Sequence, residues 1–116
     1  MNQFEIKTDI SKASTIPSAF YTDPQTYEKT IHNIFNNSWQ LITHSSSLKK
    51  KNVYPFTFLN DSLNEPLVIT QKNGTLKCLS NVCTHRAHLV CEKETNSSVL
   101  KCGYHGRTFD LNGTIK

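Results

Sequence analysis

Apolar positions along the chain follow two different periods, and the change falls near Trp39. Upstream of it, Tyr27, Ile31, Ile34 and Phe35 recur at i, i+4, i+7 and i+8, one face of an α-helix. Asp23-Pro24 supplies the start signal, an N-cap carboxylate followed by Pro at the first helical position. Asn36-Asn37 supplies the stop. His32 lies off the stripe and is expected to be a solvated helix residue. Residues 1–20 are polar with scattered Ser, Thr and Pro, the composition of an extended N-terminal arm. Residues 21–38 then form a helical lead-in.

Beyond Trp39 the pattern shortens to that of strands. Trp39–Thr43 is a first candidate, and Tyr54–Leu59 a second whose Pro55 points to a sheet edge. Leu67–Gln71 and Thr75–Ser80 are joined through Lys72-Asn73-Gly74, an Asn-Gly hairpin signal. Leu100–Cys102 is a further strand. Thr108–Leu111 and Thr114-Ile115 flank a second Asn-Gly turn at Asn112-Gly113. The fold class predicted is mainly β: a small antiparallel sheet domain over 39–116 with one N-terminal α-helix.

Composition narrows the function classes without choosing one. A chain of 116 residues has room for one domain with a modest core. The net charge is +4, and no apolar run in the sequence is long enough for a membrane-spanning helix. Met1-Asn2-Gln3-Phe4-Glu5-Ile6-Lys7 lacks the apolar stretch of a secretory signal, so a cytoplasmic location is expected. Lys49-Lys50-Lys51 reads as a solvated loop, so neither a nucleic-acid nor a membrane partner is expected. Of the four cysteines, Cys78 sits in an apolar alternation and Cys91 follows Leu89-Val90. Both are expected to be core thiols rather than a disulfide, which a reducing compartment disfavours.

The remaining two cysteines carry the chemistry. Cys83-Thr84-His85 and, after a gap of sixteen residues, Cys102-Gly103-Tyr104-His105 each offer one thiolate and one imidazole on a short segment. Two thiolates and two imidazoles split evenly in this way suit a Rieske centre, a [2Fe–2S] cluster in which two His replace two Cys on one iron. Zinc is the competing reading, because Cys₂His₂ is also a zinc set. Zinc fingers, however, pair Cys with Cys and His with His, whereas each segment here carries one of each. His88, three residues after His85, is expected to lie on the loop surface, since the four-ligand set is complete without it.

Around these residues the sequence resembles a known family. Asn81-Val82-Cys83-Thr84-His85-Arg86-Ala87 and Cys102-Gly103-Tyr104-His105-Gly106-Arg107-Thr108-Phe109-Asp110-Leu111-Asn112-Gly113 are similar to the two cluster loops of Rieske non-haem iron oxygenases. That family includes the large subunits of ring-hydroxylating dioxygenases and the choline- and betaine-type monooxygenases. The likeness extends upstream through Phe20-Tyr21-Thr22-Asp23-Pro24, Ile34-Phe35, Trp39 and Pro66-Leu67-Val68-Ile69. It implies that Cys83 and Cys102 hold the inner iron of the cluster, and His85 and His105 the outer one. Gly103 and Arg107 depart from the family's usual Cys-Pro-Tyr-His-Gly-Trp. Respiratory-type Rieske proteins clamp the loops with a disulfide; Tyr104 stands where its second cysteine would be, so that clamp cannot form.

The resemblance implies an N-terminal Rieske portion of an oxygenase large subunit, an oxidoreductase component not catalytic by itself. A ferredoxin or flavin reductase would donate electrons. A catalytic domain or neighbouring subunit of a homo-oligomer would accept them at a mononuclear non-haem Fe(II). That iron sits on two His and one Asp, for which this chain, with only His32, His44 and His88 left over, has no paired spacing. The alternative is a free-standing Rieske ferredoxin. The helical lead-in and a final strand that stops just past Asn112-Gly113 favour the oxygenase portion.

Overall fold

The computed structural model describes residues 4–116. They divide into two compact units, one reaching to Leu41 and the other spanning Ile42–Lys116. The arm expected over 1–20 lies partly outside the described residues, at 1–3. Its remainder contains a 3₁₀ turn at Ile10–Lys12, capped by Asp9, whose carboxylate accepts the Ser11 N–H at 3.0 Å.

In the first unit a single turn, α1 (Ala19–Thr22), leads into α2 (Pro24–Asn33). Asp23 caps α2 as its sequence position requires: the carboxylate accepts the Thr26 N–H at 2.9 Å and the Thr26 hydroxyl at 2.6 Å. The helix ends sooner than its apolar stripe predicts. Ile34 is already the cap residue, and Phe35–Asn37 tightens into a 3₁₀ turn. The Asn37 side-chain amide donates to the His32 carbonyl at 2.6 Å and takes an acceptor that a continuing helix would have used. Ile34 and Phe35 therefore leave the stripe, and His32 is exposed as expected.

The second unit is built from two antiparallel sheets. β1 (Val53–Phe58), β2 (Glu65–Lys72) and β3 (Thr75–Ser80) lie in that order, while β4 (Val99–Lys101) pairs with β5 (Thr108–Asp110). The β2–β3 register runs from Leu67 opposite Ser80 to Lys72 opposite Thr75, closed by Asn73 and Gly74 at φ +50° and +79°. Two left-handed residues in succession make the turn type that Asn-Gly favours. β1 is an edge, and Pro55 fits there for a definite reason. Val53 turns its backbone outward, exchanging both hydrogen bonds with Thr95 at 3.1 Å. Two residues on, Pro55 faces the same outward side, where its missing N–H costs no bond to β2.

Two strand expectations are corrected. Trp39–Thr43 forms no strand among the described residues; a short alternating run becomes a strand only where a partner pairs with it. Thr114-Ile115 returns along β5 through one bridge, Phe109 to Ile115.

The core of this unit is made by Val53, Val68, Val90, Leu100, Phe109 and Leu111 together with Cys83 and Cys102. It sits at the root of the segments that follow β3 and join β4 to β5. Buried Thr70 on β2 ties the two sheets, its hydroxyl donating to the Leu111 carbonyl at 2.6 Å. Cys91 packs against this core, but Cys78 is exposed, contrary to expectation. The register explains it: Leu79 opposes buried Val68, so Cys78, opposite Ile69, points to the other face of the sheet. Both are free thiols.

Candidate metal centre

The segments carrying the Cys and His residues are two copies of one turn. In the first, the Cys83 N–H donates to the His88 carbonyl at 2.8 Å and the Ala87 N–H returns to the Cys83 carbonyl at 2.9 Å. In the second, the Cys102 N–H donates to the Arg107 carbonyl at 2.9 Å and the Gly106 N–H returns to the Cys102 carbonyl at 3.0 Å. Each cysteine thus opens a turn closed five residues later, and the fourth residue after it is left-handed: Ala87 at φ +51°, Gly106 at φ +75°. Asn81 anchors the first turn from below. Buried to 3 % exposure, its side chain donates to the Cys91 carbonyl at 2.6 Å and accepts the Cys91 N–H at 2.9 Å.

Left-handed backbone costs an L-residue roughly 1–2 kcal/mol, whereas glycine adopts it freely. Ala87→Gly is therefore expected to stabilise the fold by up to about 1 kcal/mol, once glycine's larger unfolded-state entropy is subtracted. Gly106→Ala should destabilise it by about 1 kcal/mol. Crowding is not the cause there, since a Cβ at Gly106 would meet Lys101 Cε at an ordinary 3.6 Å. Denaturant midpoints check both, and a destabilised Ala87→Gly would contradict the account.

The paired turns bring the four side chains together in two pairs. Cys83 and Cys102 are 3 % and 2 % exposed and share the buried core of this unit. The His85 and His105 rings, both exposed, meet edge to face with centroids 4.8 Å apart. The His85 N–H, and after it the Cys102 thiol, the Arg86 N–H and the Arg107 guanidinium, hold the Cys83 thiol below its usual range; desolvation opposes them. Amide donors aimed at a sulfur are what a thiolate ligand needs. Among the described residues no three His, Cys, Asp or Glu converge on one point as a single-ion cage does. Buried thiols on one side and exposed imidazoles on the other fit a two-iron cluster whose irons take unlike ligands.

Neighbouring residues complete the tips. The Tyr104 ring lies 3.8 Å from that of His105 and 5.6 Å from that of His88. His88 is partly exposed on the loop, and its Nδ1–H donates to the Leu89 carbonyl at 2.7 Å. Arg107 donates from Nη1 to Thr84 Oγ1 at 3.0 Å, across the two turns. In sequence Arg107 stands out only as a departure from the family pattern, with nothing to indicate its partner. Arg86 is exposed, with no carboxylate in ion-pair range among the described residues.

Fold and site together define an iron–sulfur domain of the two-loop kind. The Rieske [2Fe-2S] domain family matches residues 38–116, and the chain belongs to that family. The chloroplastic choline monooxygenase of Arabidopsis thaliana is 31% identical over 115 residues, 99% of this chain and 27% of that protein. The carnitine monooxygenase oxygenase subunit of Escherichia coli (strain K12) is 34% identical over 106 residues, 90% of this chain and 28% of that subunit. A quaternary ammonium Rieske monooxygenase solved with L-carnitine superposes with a TM-score of 0.77 at 33% identity, covering 90% of this chain and 29% of that one. Another structure of such an enzyme is described as revealing inter-subunit electron transfer. The chain spans little more than a quarter of the length of these relatives. Among the described residues no helix is long and apolar enough to cross a membrane.

Proposed function

We propose that this chain is the Rieske electron-transfer portion of an oxygenase large subunit. In this reading Cys83 and Cys102 hold the inner iron, and His85 and His105 the outer one. The observation that carries it is the pairing at the turn tips, with the thiols buried side by side and the imidazoles exposed side by side. With the [2Fe–2S] cluster bound, the centre supplies reversible storage of one electron. Around it the chain's residues have separable tasks. The buried cysteines and their amide donors keep water from the sulfurs. The exposed His85 and His105 edges give the electron a route to a partner.

That partner is a mononuclear non-haem iron in a catalytic domain of the same or a neighbouring subunit, in a homo-oligomer, with a ferredoxin or flavin reductase as donor. The relatives that match 90% or more of this chain are oxygenase components, which favours this over a free-standing ferredoxin. Because two of them are named for choline and carnitine, we take a quaternary ammonium compound as the substrate class of the whole protein. We take 39–116 as the cluster domain, 21–38 as its helical lead-in and 1–20 as an arm. A reducing compartment such as the cytoplasm suits the exposed free thiol of Cys78.

The cluster-loaded chain, reduced and then mixed with oxygen and carnitine or choline, should give back its electron and form no product. Its Rieske ligand set leaves neither iron an open position for dioxygen. Stoichiometric hydroxylated or demethylated product from this chain alone would overturn the electron-transfer assignment.

A further inference from the structure

We propose that Arg107 is a positioning residue for the cluster: it ties the two ligand turns together and sets a fixed positive charge beside them that raises the reduction potential. The proposal rests on the ligand reading above. Two bonds place Arg107. Its carbonyl accepts the Cys102 N–H at 2.9 Å, and its guanidinium donates to Thr84 Oγ1 at 3.0 Å, one residue beyond Cys83. One side chain thus joins the neighbourhoods of both buried cysteines, which lie on different turns. No disulfide can do so here, because Tyr104 fills the place that a clamping cysteine would need.

Among the described residues no carboxylate lies in ion-pair range of Arg107. Among the described residues the ion pairs are Lys7 with Glu5 and Lys12 with Asp9, both far from these turns in sequence. Arg107 is half-buried, so water and salt screen it less than a free surface arginine. Reduction adds one negative charge to whatever the four ligands hold, and a fixed cation nearby favours that state.

The test uses the cluster-loaded full-length protein and three variants: Arg107→Gln, Arg107→Lys and Thr84→Val. Readouts are iron content, visible spectrum, midpoint potential and the rate of iron loss to a chelator. Arg107→Gln should keep its iron and spectrum but disfavour reduction by about tenfold, which is about 59 mV for one electron. Arg107→Lys, which keeps the charge, should retain most of the parental potential. Thr84→Val, which cuts the tether and keeps the charge, should lose iron several-fold faster with a smaller shift in potential.

A parental potential in Arg107→Gln would overturn the proposal, as would an Arg107→Lys shift as large as that of Arg107→Gln. If Arg107→Gln fails to hold the cluster, the other two variants decide, and parental iron loss in Thr84→Val overturns the tether. A parent protein containing zinc and no iron would instead sink the ligand reading itself. Failure of the Arg107 proposal alone leaves the parental iron content untouched.

Discussion

Replacing Cys83 or Cys102 by Ala should abolish stable cluster binding outright, and the double variant should lose nothing more. In the proposed ligand set each thiolate is one of the two protein ligands to one iron, so a single deletion leaves that iron with too few ligands to stay. Both cysteines are also core residues, 3 % and 2 % exposed among Val53, Val68, Leu100 and Phe109. Alanine is smaller than cysteine and equally apolar, so the local packing survives better than the site does. The visible spectrum should therefore vanish in each variant while far-ultraviolet circular dichroism retains β signal. Residues acting as one unit do not add, which is why the second substitution costs nothing further. A variant with the parental spectrum would remove that cysteine from the ligand set.

The imidazole side of the pairing predicts a different outcome. His85→Cys or His105→Cys should retain a cluster in part of the protein, with its potential lowered by roughly 100 mV or more, in the direction of clusters held by four thiolates. An added thiolate puts negative charge directly on the iron, and a more negative centre resists a further electron. His85→Ala and His105→Ala should instead shift the spectrum or lose the cluster. The rings are exposed and touch one another and, at His105, the exposed Tyr104 ring, so these substitutions leave the β1–β2–β3 sheet undisturbed. Electrochemical titration with parallel spectra checks the set. An unchanged spectrum and potential in either alanine variant would refute the assignment of that histidine.

Much of the fold was legible because local chemistry decided it. Asp23-Pro24 starts α2 through a bond that only a short polar side chain can make. Asn73-Gly74 closes the β2–β3 hairpin because those two residues tolerate left-handed backbone best. Misreadings arose where a distant partner decides. Trp39–Thr43 has strand-like alternation, but pairing is not written in alternation. Cys78 has apolar neighbours, yet only the register with β2 reveals which face it occupies. The helix stripe overran because the Asn37 side chain competes for a backbone acceptor.

At the site, ligand type and spacing named four side chains, and the structure brings them into two adjacent pairs. The repetition of one turn geometry was hidden, because Ala87 holds in the first turn the left-handed conformation that Gly106 announces in the second. The Arg107–Thr84 bond was hidden for another reason: it joins residues on different turns.

Metal and sulfide analysis of the purified protein, made with iron and sulfide available, distinguishes a cluster from zinc. The account predicts brown protein with about two irons and two acid-labile sulfides per chain, the content of a [2Fe–2S] centre. Colourless protein holding one zinc per chain and no sulfide would contradict it.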